Sequence, residues 1–264
     1  MKPSFCISLD MELLWGRYDL NWNKFEQDAK KTRDTVDKLL SLFEKYNIPT
    51  TWAIVGKLLE PGKDIVWSYP EILSKIEEHS IHEVASHSYS HPEFDKLSQP
   101  QAKIEIAKSI QKTNATSFIF PRNKIKHLNV LKSHGFTAYR GPDASNLELL
   151  LPRTPPVYTP HLHKGLINIP GSMYFVSSRG IRKYIPFGLR YYKSKLGIKK
   201  AIKENKVFHL WMHPIDLSQN TNRLLHEIEL ILKYANKKRG EGILEIVTMK
   251  TIATKWKHYQ SSKI

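Results

Sequence analysis

One pattern constrains the fold more than any other. From residue 4 to residue 141, short apolar runs alternate with amphipathic stretches of helical length. The apolar runs cover residues 4–9, 50–55, 83–86, 116–120 and 136–141, and helical patterns fill the gaps at 28–46, 69–79, 98–112 and 125–134. In the first helix Val36, Leu39, Leu40 and Phe43 form one stripe. Asn47-Ile48-Pro49 stops it, Ser98 and Pro100 mark the start of the third, and Gly135 closes the fourth. A strand–helix–strand unit of this length demands parallel strands joined by right-handed crossovers, so every strand's C-terminal end falls on one rim. The expected architecture is therefore α/β, a parallel barrel or sheet with its site on that rim.

The rest of the chain continues the theme less regularly. Pro152, Pro155, Pro156, Pro160, Pro170 and Pro186 interrupt residues 142–197, read as long loops with one strand near 167–170. A strand follows at 206–213, then a helix at 222–238, a last strand at 242–247 and a terminal helix at 249–258. No repeat or linker breaks the sequence, so residues 1–264 are expected to form a single domain. The one cysteine, Cys6, excludes an internal disulfide and reads as a small buried hydrophobe. The N-terminus carries no secretion signal and no window has the roughly 18 apolar residues of a membrane span, so a cytoplasmic location is the default. The formal net charge of +16 raises nucleic acid, an anionic membrane face or an acidic glycan as partners. No helix-turn-helix spacing, zinc-finger cysteine set or RNP-type aromatic strand accompanies it, so no nucleic acid is expected. Arg179, Arg182, Lys183, Arg190, Lys193, Lys195, Lys199 and Lys200, interleaved with Tyr184, Phe187, Tyr191 and Tyr192, suit a glycan cleft or peripheral contact with the membrane inner face.

The candidate site residues stand at the strand ends. Asp10 and Glu12 follow the first apolar run, two apart on one face if the strand persists, and two acids there call for a metal or an arginine. His87 and His91 follow the third; on a helical turn, positions i and i+4 share one face and both imidazoles reach one ion. Arg122 follows the fourth, and His213 ends the strand at 206–213, sharing a face with His209 and Trp211.

Together these segments resemble the polysaccharide deacetylase (NodB-like, carbohydrate esterase) superfamily. The carriers are Ser8-Leu9-Asp10-Met11-Glu12, the His-[Ser/Thr]-x-x-His pattern in His87-Ser88-Tyr89-Ser90-His91, an arginine after a strand in Phe120-Pro121-Arg122-Asn123, and Leu-x-x-His in Leu210-Trp211-Met212-His213. Their wording looks most like a branch found in capsule and surface-glycan gene clusters. The resemblance implies a distorted (β/α) barrel of about seven parallel strands and metal-dependent removal of an acetyl group from an N- or O-acetylated sugar or glycan precursor, lipid-linked forms included. It implies Zn2+, with Co2+ or Ni2+ as alternatives, bound by His87, His91 and Glu12. Asp10 would be the general base, Arg122 would hold it ionised, and His213 would be the general acid, with Asp143 or Asp216 as its partner. Leu210 would shape the slot for the acetyl methyl, and Trp15 and Trp211 would stack on sugar. The family's common form has a second aspartate where this chain has Met11, leaving Glu12 as the nearest carboxylate. A catalytically silent glycan-binding or assembly protein on the same barrel is the alternative.

Overall fold

The computed structural model describes residues 2–142 and 150–261. Its first strand, β1 (Ser4–Met11), is buried along all eight residues, as an apolar run covered on both faces must be. It leads to helix α1 (Glu26–Lys45) and strand β2 (Thr51–Ile54). Helix α2 (Ile72–Glu77), β3 (Glu83–Ser86), α3 (Gln99–Thr113), β4 (Ser117–Ile119), α4 (Leu128–Ser133) and β5 (Ala138–Arg140) continue the alternation. A hairpin of β6 (His161–His163) and β7 (Leu166–Asn168) comes next, then β8 (Met173–Tyr174) and α5 (Leu189–Glu204). The chain ends with β9 (Val207–Met212), α6 (Pro214–Leu217), α7 (Thr221–Gly240), β10 (Glu245–Ile246) and α8 (Met249–Ser261).

The strands form one sheet in the order β6-β7-β5-β4-β3-β2-β1-β9-β8. Every neighbouring pair is parallel except the β6–β7 hairpin, and β10 pairs with the start of β1 through Ser4 and Phe5. The sheet curls into a half-barrel rather than a closed barrel, because β6 and β8 end the order and do not pair with each other. Strand alternation sorts two layers. Phe5, Ile7, Leu9 and Met11 pack outward against the helices, in the same core as Val36, Leu39 and Phe43 of α1. Cys6, Ala53, Ala85, Ile119 and Ala138 fill the inside, closed below by Met249, Ile252 and Ala253 of α8. Small residues at successive strands let the sheet curve tightly. Above this layer the inward positions turn polar.

The expected alternation through residue 141 is found, as are the strand near 167–170 and those after residue 205. The stretch 142–197 differs. It contains most of α5, read from the sequence as loop. The prolines all precede this helix, and its buried face is built from Arg190, Lys193, Ser194, Gly197, Ile198 and Ala201, which hides the apolar stripe that a helix normally shows. Gly197 is required there: a Cβ would stand 2.3 Å from the Phe208 ring. No helix among the described residues is long and apolar enough to cross a membrane.

Candidate active site

The C-terminal ends of β1, β3, β5 and β9 converge on a cleft of about 460 Å³, inside the range of about 300–1,000 Å³ common for small-molecule sites. Asp10, Glu12, His87, His91, Arg140, Trp211 and His213 line it. Asp10 shares the inward face of β1 with Cys6 and Ser8, while Met11 points into the outer core. The chain then leaves the strand through a short 3-10 turn, Leu13–Arg17, and Glu12 swings over the histidines.

His87 and His91 do not sit on a helical turn. They belong to a bent loop after β3 in which Ser88 (φ 64°) and His91 (φ 62°) are left-handed. Such conformations are costly for non-glycine residues and need support from their surroundings. Here Ser88 Oγ accepts from the His91 amide (3.0 Å), and Glu105 of α3 accepts from the amides of Tyr89 (3.1 Å) and Ser90 (2.9 Å). The outcome is that the two rings lie 4.9 Å apart between centroids. His87 Nδ1 lies 2.8 Å from the Ile119 carbonyl. A carbonyl only accepts, so Nδ1 carries the proton and Nε2 presents its lone pair to the cleft. Glu12 Oε2 stands 3.4 Å from His87 Nε2 and 3.0 Å from His91 Nε2. Among the described residues these are the one trio of buried His, Cys, Asp or Glu side chains whose ligand atoms all lie within 4.8 Å of one another. His87 Nε2 and both ring nitrogens of His91 are buried without a hydrogen-bond partner. Two imidazoles and a carboxylate, with unsatisfied nitrogens turned to a common point and an open side, match the donor set of a catalytic zinc or similar ion. Glu12 Oε1 is meanwhile held by Arg17 Nη1 at 2.9 Å, which fixes the carboxylate's orientation.

Asp10 is paired by Arg140, not by Arg122. Arg140 Nη1 donates to Oδ1 at 2.7 Å and Nη2 to Oδ2 at 2.6 Å, a two-pronged ion pair buried on both sides. Burial pushes the Asp10 carboxyl up, but the Arg140 charge, then that of His87, outweigh it and hold it below the ordinary range. Arg122 lies past the end of β4 in a left-handed conformation and pairs with Asp19 and Glu93 at the cleft's edge. His213 Nε2 lies 3.8 Å from Asp10 Oδ2 and 3.7 Å from Glu12 Oε1. Its Nδ1 is 3.2 Å from Asp216 Oδ2, so Asp216 is its partner; Asp143, the other candidate, lies outside the described residues. Burial alone would lower the His213 pKa, but the Glu12 charge and the Asp216 hydrogen bond raise it, favouring imidazolium. Asp216 also accepts from Tyr174 Oη and, at 2.9 Å, from Arg17 Nη2, so Arg17 spans Glu12 and Asp216.

Trp211 lines the cleft, stacked on Tyr174 with centroids 4.5 Å apart, and its buried Nε1 has no hydrogen-bond partner. Leu210 alternates away from it into the outer core and does not line the cleft, so the wall here is Trp211. Trp15 does not line the cleft either; its Nε1 donates to the Trp67 carbonyl (2.8 Å) and its ring packs on Trp67 and Lys57. Sequence reasoning passed over Arg140 and Arg17. A signal for Arg140 existed: it shares strand alternation with inward Ala138, whereas Tyr139 packs outward.

Comparison with known proteins agrees with this geometry. A family model described as polysaccharide deacetylase matches residues 22–138, which include the histidine loop. No curated protein matches the chain. Among solved structures, a polysaccharide deacetylase from Mycobacterium smegmatis, described there as putative, superposes with TM-score 0.69 at 13% identity, covering 100% of this chain and 92% of that one. A probable polysaccharide deacetylase from Pseudomonas aeruginosa PAO1 gives 0.69 at 13% identity over 96% and 90%. The PuuE allantoinase gives 0.70 at 13% identity over 96% and 89%. At such identities the likeness shows the fold, and the family match covers residues 22–138 only.

Proposed function

We propose that this chain is a metal-dependent hydrolase that removes an acetyl group from an N- or O-acetylated sugar of a surface-glycan precursor. The observation that carries the reading is the convergence of unpartnered His87 and His91 nitrogens with Glu12, beside Asp10, whose pKa Arg140 lowers, and His213, whose pKa Glu12 and Asp216 raise. His87, His91 and Glu12 would hold a divalent cation, Zn2+ by its preference for this donor set, with Co2+ or Ni2+ as substitutes. When bound, such an ion polarises the acetyl carbonyl and acidifies a neighbouring water. Asp10, kept ionised by Arg140, takes the proton of the attacking water. His213, oriented by Asp216, gives its Nε2 proton to the departing amine or hydroxyl. Tyr174 and Arg17 hold Asp216, and Trp211 supplies an aromatic wall and an indole N–H for the sugar.

The fold alone does not select the substrate, since it also carries an allantoinase. Acetate release from acetylated amino-sugars and from O-acetylated sugars, with added Zn2+, Co2+ or Ni2+, tests the reading and separates amide from ester. Release that vanishes in Asp10→Asn is the expected result. Sugar binding without release under any metal would favour the silent glycan-binding alternative.

A further inference from the structure

The cleft's outer lip has a surface that the proposed reaction does not use. Residues Gly180–Tyr184 form a 3-10 turn with no buried residue. In such a turn positions i and i+3 eclipse, so Ile181 and Tyr184 project from the same side. They are 84% and 73% exposed, the largest apolar side chains left so open on the described surface. Phe187 follows, half-exposed against His226 and Arg223. Arg182 lines the cleft, and Lys183 is exposed beside Tyr184. No acidic residue occurs from 179 to 203.

The facing lip is apolar too, with Asp19 between its two apolar residues paired to Arg122. Tyr18 and Leu20 are about half exposed, and Leu20 lines the cleft. Arg179 ties the lips together, donating to the Lys24 carbonyl at 3.1 Å and to Asp28 while its guanidinium lies over Phe25. Apolar side chains thus stand on both lips of the cleft, with Arg179, Arg182 and Lys183 among them on one. The sequence suggested membrane contact through the whole basic region 179–200, but the structure buries two of its cations. Arg190 pairs with Glu227, and Lys193 donates to the carbonyls of Leu151 and Arg153. Of the rest, Arg182 and Lys183 are exposed on the lip, and Lys199 is exposed on α5.

We propose that the cleft's lips, led by Ile181 and Tyr184, are a docking surface for an anionic lipid bilayer, which sets the cleft mouth against the headgroups. Exposed aliphatic and aromatic side chains interleaved with Lys and Arg have the composition of an interfacial anchor. The cations favour a negative surface, while the fully aliphatic Ile181 finds an apolar complement in a bilayer and none on a polyanion such as nucleic acid. The proposal concerns where the chain works and stands apart from the reaction assigned to the cleft.

Co-sedimentation with phosphatidylcholine vesicles, with and without phosphatidylglycerol, tests it on the full chain. The wild type is expected to partition onto phosphatidylglycerol vesicles. An Ile181→Ser/Tyr184→Ser double variant is expected to lose about tenfold in partition coefficient, from two apolar anchors removed, with an unchanged melting temperature. Its acetate release from a soluble substrate should also be unchanged, and Asp10→Asn should bind vesicles like wild type, so failure of this proposal and failure of the deacetylase reading give different patterns. Wild-type protein that stays in solution, or a double variant that partitions as wild type does, overturns the proposal. The second result would mean that net charge alone drives adsorption.

Discussion

Among the described residues two arginine–carboxylate pairs, Arg140–Asp10 and Arg190–Glu227, have both side chains no more than 3% exposed, with N–O distances of 2.6 Å and 3.0 Å. Their surroundings differ. Glu227 also accepts from the amides of Gly188 and Arg190 at the start of α5, and Arg190 spends its other donors on the carbonyls of Val176 and Ser177. That pair is closed on itself and ties α5, α7 and the segment after β8 together. Asp10 instead faces His213 and an open cleft, and Arg140 has a buried Nε without a partner. A buried ion pair is weak testimony to function by its burial, since desolvation offsets much of its attraction. What makes Asp10 the candidate for chemistry is that titratable neighbours and an entry path share its surface.

Substitutions should separate the pairs. Asp10→Asn is expected to lower acetate release by about 10²–10⁴-fold, the usual contribution of a positioned base, in protein that still melts cooperatively. Glu227→Gln is expected to cost about 3–5 kcal/mol of stability by leaving Arg190 buried and uncompensated, which chemical denaturation would measure. Replacing both partners, as Arg190→Met/Glu227→Leu, should restore much of that loss. If Glu227→Gln abolished turnover in folded protein at full stability, the contrast would fail. Arg140→Met is expected to move the acid limb of the pH–rate profile upward. Arg140 lowers the Asp10 pKa, and the base works only when ionised, so its loss demands a higher pH. Arg122→Gln should leave that limb in place, and a shift there would reverse the assignment of the two arginines.

The smallest effect lies beneath the cleft. Burial, then the Arg140 charge, holds His209 neutral in the folded protein, with a pKa of about 3, against about 6.5 for an unperturbed histidine. Between those values the unfolded chain binds the extra proton, so stability should rise with pH there and decline as pH falls below about 6.5. Melting temperatures across that range in wild type and His209→Gln should show a shallower dependence in the variant.

The first half of the chain was readable because each buried strand announces itself as an apolar run and hands its polar residues to one rim. Asp10 near the end of β1, Glu12 just past it and the histidines after β3 follow from that rule, and so does His213 after β9. The rule did not choose between Arg122 and Arg140, since both follow apolar runs. Register decides: Arg140 is still inside β5, opposite Ile119 and on the inward face, whereas Arg122 is beyond β4 where the backbone has turned left-handed. Reading helical turn geometry into His87–His91 also missed the mechanism, since two left-handed residues bring the rings together. In the stretch after residue 142 the rule gave out, because α5 buries arginine, lysine, serine and glycine where a helix usually shows leucine. Two of its cations, Arg190 and Lys193, looked like a surface and belong to the core.

The central claim is that Glu12 completes a metal site that Met11 would otherwise break. Metal content by mass spectrometry tests it most directly, on wild type purified without added metal and on Glu12→Ala, each again after exposure to Zn2+, Co2+ or Ni2+ and desalting. About one divalent ion per chain in wild type, with most of it lost in Glu12→Ala, is the predicted result, since removing one of three ligands forfeits most of the affinity. Wild-type protein that retains none of these ions, or a Glu12→Ala variant that holds them as tightly as wild type, would contradict the account.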